Sequence, residues 1–294
     1  SAMTDTSRTI APSYPGKAPG EYRNIRASAA VKDDGSVVTW GDDEWGGDSS
    51  LVADELDAQD TPGVTEIFSS IQSFAALRED GSVVTWGDGV FTPTNFGGFT
   101  SDVAYELDAI DTPEVIRIFS TQRAFAALRE DGSVVTWGDE FSTRGPGGIH
   151  TTTFGGDSSE VADEIDADGT PAVTKIFSTN RAFAALREDG SVVTWGDGFG
   201  ANSDRVSDQL DADGTPEVTE IFSTSGGFAA LREDGSVVTW GTGGSEIQDE
   251  IDADGTPEVT EIFSTNGAFA ALRANGSLIV WGNDRQGGFS RPVR

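Results

Sequence analysis

The chain has 294 residues, with 19 Lys and Arg against 50 Asp and Glu and a formal net charge of −31. Such a charge repels a phosphate backbone, so nucleic acid is not an expected partner. Cysteine is absent and His150 is the one histidine, which removes disulfide staples, thiol nucleophiles and Cys/His zinc sites, and the apolar runs are too short for insertion into a membrane.

Residues 1–21 read as an N-terminal tail, opening on Ser1-Ala2-Met3, which has the look of an expression scar. From residue 22 to 294 we expect a single domain, because the rest of the chain is self-similar. A first copy, AVKDDGSVVTWGD, lies at 30–42. The run ALREDGSVVTWGD then recurs at 76–88, 127–139 and 185–197, followed by ALREDGSVVTWGT at 230–242 and ALRANGSLIVWGN at 271–283. The Trp-Gly pairs begin at Trp40, Trp86, Trp137, Trp195, Trp240 and Trp281, at spacings of 46, 51, 58, 45 and 41 residues. Units of this length, none able to bury its apolar surface alone, predict a propeller or a solenoid.

Each unit reads as strands. In the first, Tyr22 to Ala27 stands in place of the strand that other copies write as Glu-Ile-Phe-Ser. In the fourth, the spacing predicts strands at Lys175–Ser178, Ala182–Arg187 and Ser191–Trp195. Glu188-Asp189-Gly190 forms the hairpin turn between the last two, since Asp-Gly between alternating residues is a strong hairpin signal. Phe183, Ala185, Val193 and Trp195 fall on one face; Ala184, Leu186 and Val192 fall on the other. A sheet apolar on both faces belongs between two neighbours, as in radially packed blades. Val206 to Leu210 must then carry the chain back as an outer strand or one helical turn. The repeated Trp, and Phe pairs such as Phe177 with Phe183, are expected to pack blade on blade.

This path sorts the turns into two sets. The bottom set, Glu-Asp-Gly-Ser and Asp-Ala-Asp-Gly-Thr-Pro, hardly changes between copies. The top set varies. Its short turn reads Ser70-Ile71-Gln72, Thr121-Gln122-Arg123, Thr179-Asn180-Arg181, Thr224-Ser225-Gly226 and Thr265-Asn266-Gly267. The loop after Trp-Gly runs 15, 20, 27, 14 and 10 residues from its glycine to the next Leu or Ile of the acidic segment. Variable loops on a repeated scaffold are where binding is usually placed.

The candidate partner-binding residues therefore lie on the top: Trp45, Phe91, Phe96, Arg123, Phe141, His150, Phe154, Arg181 and Phe199. Aromatic residues anchor interfaces, but a long loop also needs plugs of its own. Both readings stand for the aromatics, with packing ahead for Phe99, and Arg123 and Arg181 are either interface arginines or solvated charges. The Asp-Ala-Asp-Gly turns (Asp166 with Asp168, Asp211 with Asp213, Asp252 with Asp254) invite a calcium reading. Thr-Pro after the glycine and the lack of a twelfth-position Glu favour a capped acidic turn. No metal or other cofactor is expected. No nucleophile is marked for His150 to activate, so catalytic residues are not expected.

The pattern A-L-x-x-D-G-x-V-x-x-W-G with Gly-Gly a few residues on resembles the regulator-of-chromosome-condensation repeat, over about residues 22–288. The units are most similar to the bacterial branch of that family. The resemblance implies an all-β β-propeller. Six blades are counted here, against a family norm of seven, with the ring closed by joining N- and C-terminal segments. It also implies a noncatalytic, monomeric module that presents loops to a protein or surface ligand. Acidic, cysteine-free, near-identical repeats suit a secreted or cell-surface bacterial protein, in the manner of an adhesin. The alternatives are an effector regulating a host small GTPase and a structural spacer.

Overall fold

In the computed structural model the described residues are 23–87, 97–98, 100, 103–139, 154–198, 200–242, 251 and 257–288. The chain divides into two compact units, Ser1–Asp157 and Ser158–Arg294. In the first unit β1 (Ala27–Val31) pairs with β2 (Val37–Gly41). Two three-stranded sheets follow: β3 (Val64–Ser69), β4 (Ser73–Arg78) and β5 (Val83–Gly87), then β6 (Val115–Ser120), β7 (Ala124–Arg129) and β8 (Val134–Gly138). The second unit holds three more: β9 (Val173–Ser178), β10 (Ala182–Arg187) and β11 (Val192–Gly196); β12 (Val218–Ser223), β13 (Gly227–Arg232) and β14 (Val237–Gly241); β15 (Val259–Ser264), β16 (Ala268–Arg273) and β17 (Leu278–Gly282). Every pairing is antiparallel, with the second strand of each triplet in the middle. The fold is all-β, with six blades of β-propeller type. The terminal segments expected to close it, 1–22 and 289–294, lie outside the described residues.

The predicted faces hold in the register. Phe183 lies opposite Trp195 and Ala185 opposite Val193, while Ala184 faces Thr194 and Leu186 faces Val192. In five blades the paired Phe and Trp rings stack, with centroids 5.2–5.3 Å apart and planes 19–27° from parallel. Each such pair is worth about 0.5–1.5 kcal/mol beyond the area it buries. Phe177 lies opposite Ala184, on the other face from Phe183, and packs against the cluster that holds Phe228 and Trp240 of the next blade, so the expected blade-on-blade packing holds for it. Within each unit the small-residue face of one blade receives the aromatic face of the next. Ala184 and Leu186 pack against Phe228 and Trp240, and Ala75 and Leu77 against Phe125 and Trp137. Alanine on one side is what lets a flat Phe-Trp stack approach from the other.

Of the two return paths expected, the helical turn is the one adopted. α1 (Ala104–Leu107), α2 (Ala162–Ile165) and 3-10 turns at Ser50–Glu55 and Ser207–Gln209 run outside the third strands. Leu56, Leu107, Ile165 and Leu210 are their buried anchors. The Leu56 and Leu210 carbonyls accept hydrogen bonds from the Val37 and Val192 N–H groups at 2.9 and 2.8 Å, so a helical turn covers the edge where a fourth strand would pair. A bulge bends the first strand of all five three-stranded sheets, and at Thr65, Thr174, Thr219 and Thr260 the bulged hydroxyl donates to the Leu carbonyl across the strand pair at 3.0–3.2 Å.

One correction concerns the start of the repeats. Residues 24–26 do not replace a strand; they are the short turn of the first blade. The Asn24 side-chain oxygen accepts from the Arg26 and Ala27 N–H groups at 3.1 and 2.9 Å, as the Thr179 hydroxyl does from Arg181 and Ala182. Asn-Ile-Arg thus sits in the register of Thr-Asn-Arg. The first blade has two strands among the described residues.

Candidate functional site

The bottom turns are consumed by structure. Asp80, Asp131, Asp189 and Asp234 each accept the backbone N–H of the Ser two residues on, at 2.9–3.0 Å, and its hydroxyl at 2.5–2.6 Å. That hydroxyl in turn accepts from the Nε of an arginine in the preceding strand, as from Arg187 at 2.7 Å. Burial pushes the Asp189 and Asp234 carboxyls up, but the serine hydrogen bonds, with Arg187 and Arg232 nearby, outweigh it and hold both below the ordinary carboxylate value. Within each unit the turn glycine reaches the next blade: the carbonyls of Gly35, Gly81, Gly190 and Gly235 accept from the N–H groups of Val64, Val115, Val218 and Val259 at 2.8–3.0 Å. A methyl on Gly190 would lie 2.5 Å from Glu217 Cβ. The constancy of these turns therefore follows from blade joining.

The acidic turns cap themselves. The first carboxylates, of Asp57, Asp108, Asp166 and Asp211, accept the N–H two residues on at 2.9–3.0 Å. The intervening Ala58, Ala109, Ala167 and Ala212 take left-handed φ of 56–59°. Among the described residues no group of three or more His, Asp or Glu is placed to hold a metal ion.

The top is built otherwise. Main-chain bonds tie three of the short turns to the next blade, Ile71 N–H to the Gln122 carbonyl at 2.9 Å, Asn180 to Ser225 at 3.1 Å, and Ser225 to Asn266 at 2.7 Å, and in the first blade the Asn24 N–H donates to the Ser69 hydroxyl at 3.2 Å. A main-chain bond of this kind does not depend on which side chain stands at the middle position, and the residues there differ from copy to copy. A glycine after Trp-Gly, the first of a Gly-Gly pair at 46 and 97 and a single glycine at 200, roots these loops. Gly46, Gly97 and Gly200 each give a carbonyl to the indole N–H of the next blade, Trp86, Trp137 and Trp240, all at 3.1 Å. Gly46 has φ +93°, and a methyl on it would stand 2.8 Å from the Phe74 ring.

Three blades add a clamp of arginine and aspartate, two of them with a loop aromatic. Arg123 Nη1 lies 3.3 Å from the carboxylate of Asp139, which is 4% exposed, and its guanidinium sits 4.6 Å from the centroid of Phe154. Phe154 is itself 4% exposed, adopts φ +45°, and accepts the Thr121 hydroxyl at 2.8 Å through its carbonyl. In the first blade Arg26 lies 3.7 Å from Asp42 and 4.5 Å from the Trp45 ring, and the Asn24 amide donates to the Trp45 carbonyl at 2.5 Å. In the fourth, Arg181 lies 3.6 Å from Asp197.

The structure thus brings Arg123 together with Phe154, where Phe154 is a buried plug and Arg123 its cover. Trp45 is half-buried over the first two blades, and Arg181 is exposed with its charge paired. Phe91, Phe96, Phe99, Phe141, His150 and Phe199 lie outside the described residues. Sequence reading missed Asn24, Arg26, Asp42, Asp139 and Asp197. The signal was available: an arginine stands sixteen residues before the aspartate of Trp-Gly-Asp in these three copies, and in no others.

Stacked antiparallel sheets joined by indole-to-carbonyl bonds, with their loops rooted at one end, define a β-propeller scaffold. No protein-family model matches the chain, and no curated protein matches it. Among solved structures it is similar to human WBSCR16, at 17% identity over 88% of this chain and 74% of that one, with a TM-score of 0.49. It is similar to yeast RCC1 (Prp20), solved bound to Kap60, at 14% identity over 89% and 69%, with a TM-score of 0.46. A third is the CRINKLY WD40 ectodomain of the Arabidopsis thaliana receptor kinase ACR4, at 13% identity over 87% and 77%, with a TM-score of 0.44.

Proposed function

We propose that this chain is a noncatalytic binding module that presents the variable top loops of its blades to a protein or surface ligand. The observation that carries this reading is the division of labour between the two ends of the blades. At the bottom, side chains make the hydrogen bonds that shape the turns linking blade to blade. At the top, a hydroxyl or amide at the first position holds the short turn, main-chain and indole-to-glycine bonds join it to the next blade, and the residues that differ between copies lie at the middle positions and in the long loops. Secretion or display on a bacterial surface is the setting that fits the acidic, cysteine-free composition.

The test is a paired capture experiment from host and environmental extracts. One bait is the intact chain; the other has residues 141–153 replaced by a short Gly/Ser linker, with Phe154 kept as the buried root. Thermal melts establish that both fold. A protein retained by the intact chain alone supports the reading and locates the binding loop. Equal capture by both baits, or none, removes the longest loop from the site and favours a structural spacer.

A further inference from the structure

We propose that the crossing from the second blade to the third, residues 104–116, is a docking surface apart from the top loops, and that it takes a basic segment of another protein that also carries apolar side chains. Tyr105 on α1, Ile110 in the acidic turn and Ile116 on β6 are 65%, 65% and 56% exposed. At each of these places the other four crossings carry a polar residue: Asp at the first, Gln or Asp at the second and Thr at the third. Their exposure belongs to the position in the repeat. This crossing joins two blades of the first unit, and Asp208, Asp213 and Thr219, in a crossing that joins two blades of the second, are exposed as well.

The three residues do not serve the blade. The threonines at the third position each bond the Leu carbonyl across the strand pair, a bond that Ile116 gives up. Ile110 stands between Ala109 and Asp111, both left-handed at φ +56° and +58°. The crossings to the fourth and fifth blades have Gly169 and Gly214 in place of Asp111. An aspartate where glycine costs less sets a carboxylate beside the isoleucine. Charge then selects the occupant. The crossing carries Glu106, Asp108, Asp111 and Glu114 and no lysine or arginine, and Glu106 is paired with Arg129 at 3.7 Å. Apolar side chains among carboxylates match apolar side chains flanked by Lys or Arg. A second copy, with its net charge of −31, is repelled.

The test uses the full chain and a fluorescein-labelled peptide of about twelve residues alternating Lys and Leu, long enough to follow the crossing when extended. The buffer holds about 0.15 M sodium chloride, where the Debye length is about 8 Å. Anisotropy should show this peptide binding at least tenfold more tightly than a Lys/Ser peptide of equal charge or a Glu/Leu peptide. The variant Tyr105→Asp/Ile110→Asp/Ile116→Thr restores the residues of the other crossings and is more acidic than the native chain. Its affinity for the Lys/Leu peptide should still fall at least tenfold, which net charge alone would not produce. Ile110→Asp by itself should shift affinity the same way should the triple variant unfold, and replacing residues 141–153 should leave it unchanged. Equal binding by the native chain and these variants, or of the Lys/Leu and Lys/Ser peptides, overturns the proposal. So does self-association of the native chain in sedimentation equilibrium that the triple variant loses, since the occupant would then be a second copy.

Discussion

At the level of single residues, the three arginine clamps differ in burial, and that difference orders their energies. Asp139 is nearly sealed from water beneath Arg123, while Arg181 and Asp197 both remain accessible. Arg123→Ala should lower stability by about 1–3 kcal/mol, because it uncovers Phe154 and leaves a buried carboxylate without its cation. Arg181→Ala should cost under about 1 kcal/mol, the range of exposed pairs. Urea melts of the two variants check the order, and equal losses would refute the clamp at Phe154. The carboxylates of the Asp-Gly-Ser turns make a second prediction. Asp189 and Asp234 are held below the ordinary value of 3.8, so the ionised form is the one the fold favours. Their contribution is full above that pH and is lost as pH falls through the lowered folded-state value. The last blade shows the neutral substitute: Asn275 accepts the Ser277 N–H and hydroxyl at 2.9 and 2.7 Å. Asp189→Asn with Asp234→Asn should therefore flatten the acid limb of a melting-temperature curve below about pH 4; an unchanged slope would count against these turns.

At the level of elements, the strands, their faces and the hairpin turns were legible because period-two apolar residues flank a fixed Asp-Gly. Phe183, Trp195 and Leu186 lie where alternation puts them. The return segment was ambiguous, since Val206 to Leu210 is too short for period alone to separate a strand from a helical turn. What decides it is the buried Leu210, whose carbonyl meets the third-strand edge. The clamps were hidden because reading strand by strand never sets Arg26 beside Asp42. The turn at Asn24 was hidden because an amide does there what a hydroxyl does elsewhere. Two substitutions probe these elements. Gly46→Ala should destabilise by about 2 kcal/mol or more, through its left-handed backbone and its contact with Phe74, and should raise the exposure of Trp86 in fluorescence quenching. Ala212→Gly should stabilise by about 1 kcal/mol, since the left-handed conformation costs an L-residue about that much; a loss of stability in a denaturant melt would argue against the turn geometry.

At the level of the whole molecule, charge dominates. With 19 Lys and Arg against 50 Asp and Glu and a net charge of −31, most carboxylates have no cation of their own to pair with. Self-repulsion of this kind is screened once the Debye length falls to about 10 Å near 0.1 M salt. The melting temperature should rise as sodium chloride goes from about 0.01 to 0.3 M, and a flat or falling curve would mean that local pairing outweighs the net field.

One feature of the joints reaches beyond stability. Each described joint within a unit draws on the same small set of bonds, a valine N–H onto a turn glycine and, where the loop is described, an indole onto a loop glycine. A blade therefore does not distinguish one neighbour from another. Exchange, loss or duplication of whole repeats would therefore keep seams of the described kind while reordering the loops above them. For such a chain, diversity of display comes from shuffling complete modules, and blade number becomes an inherited variable.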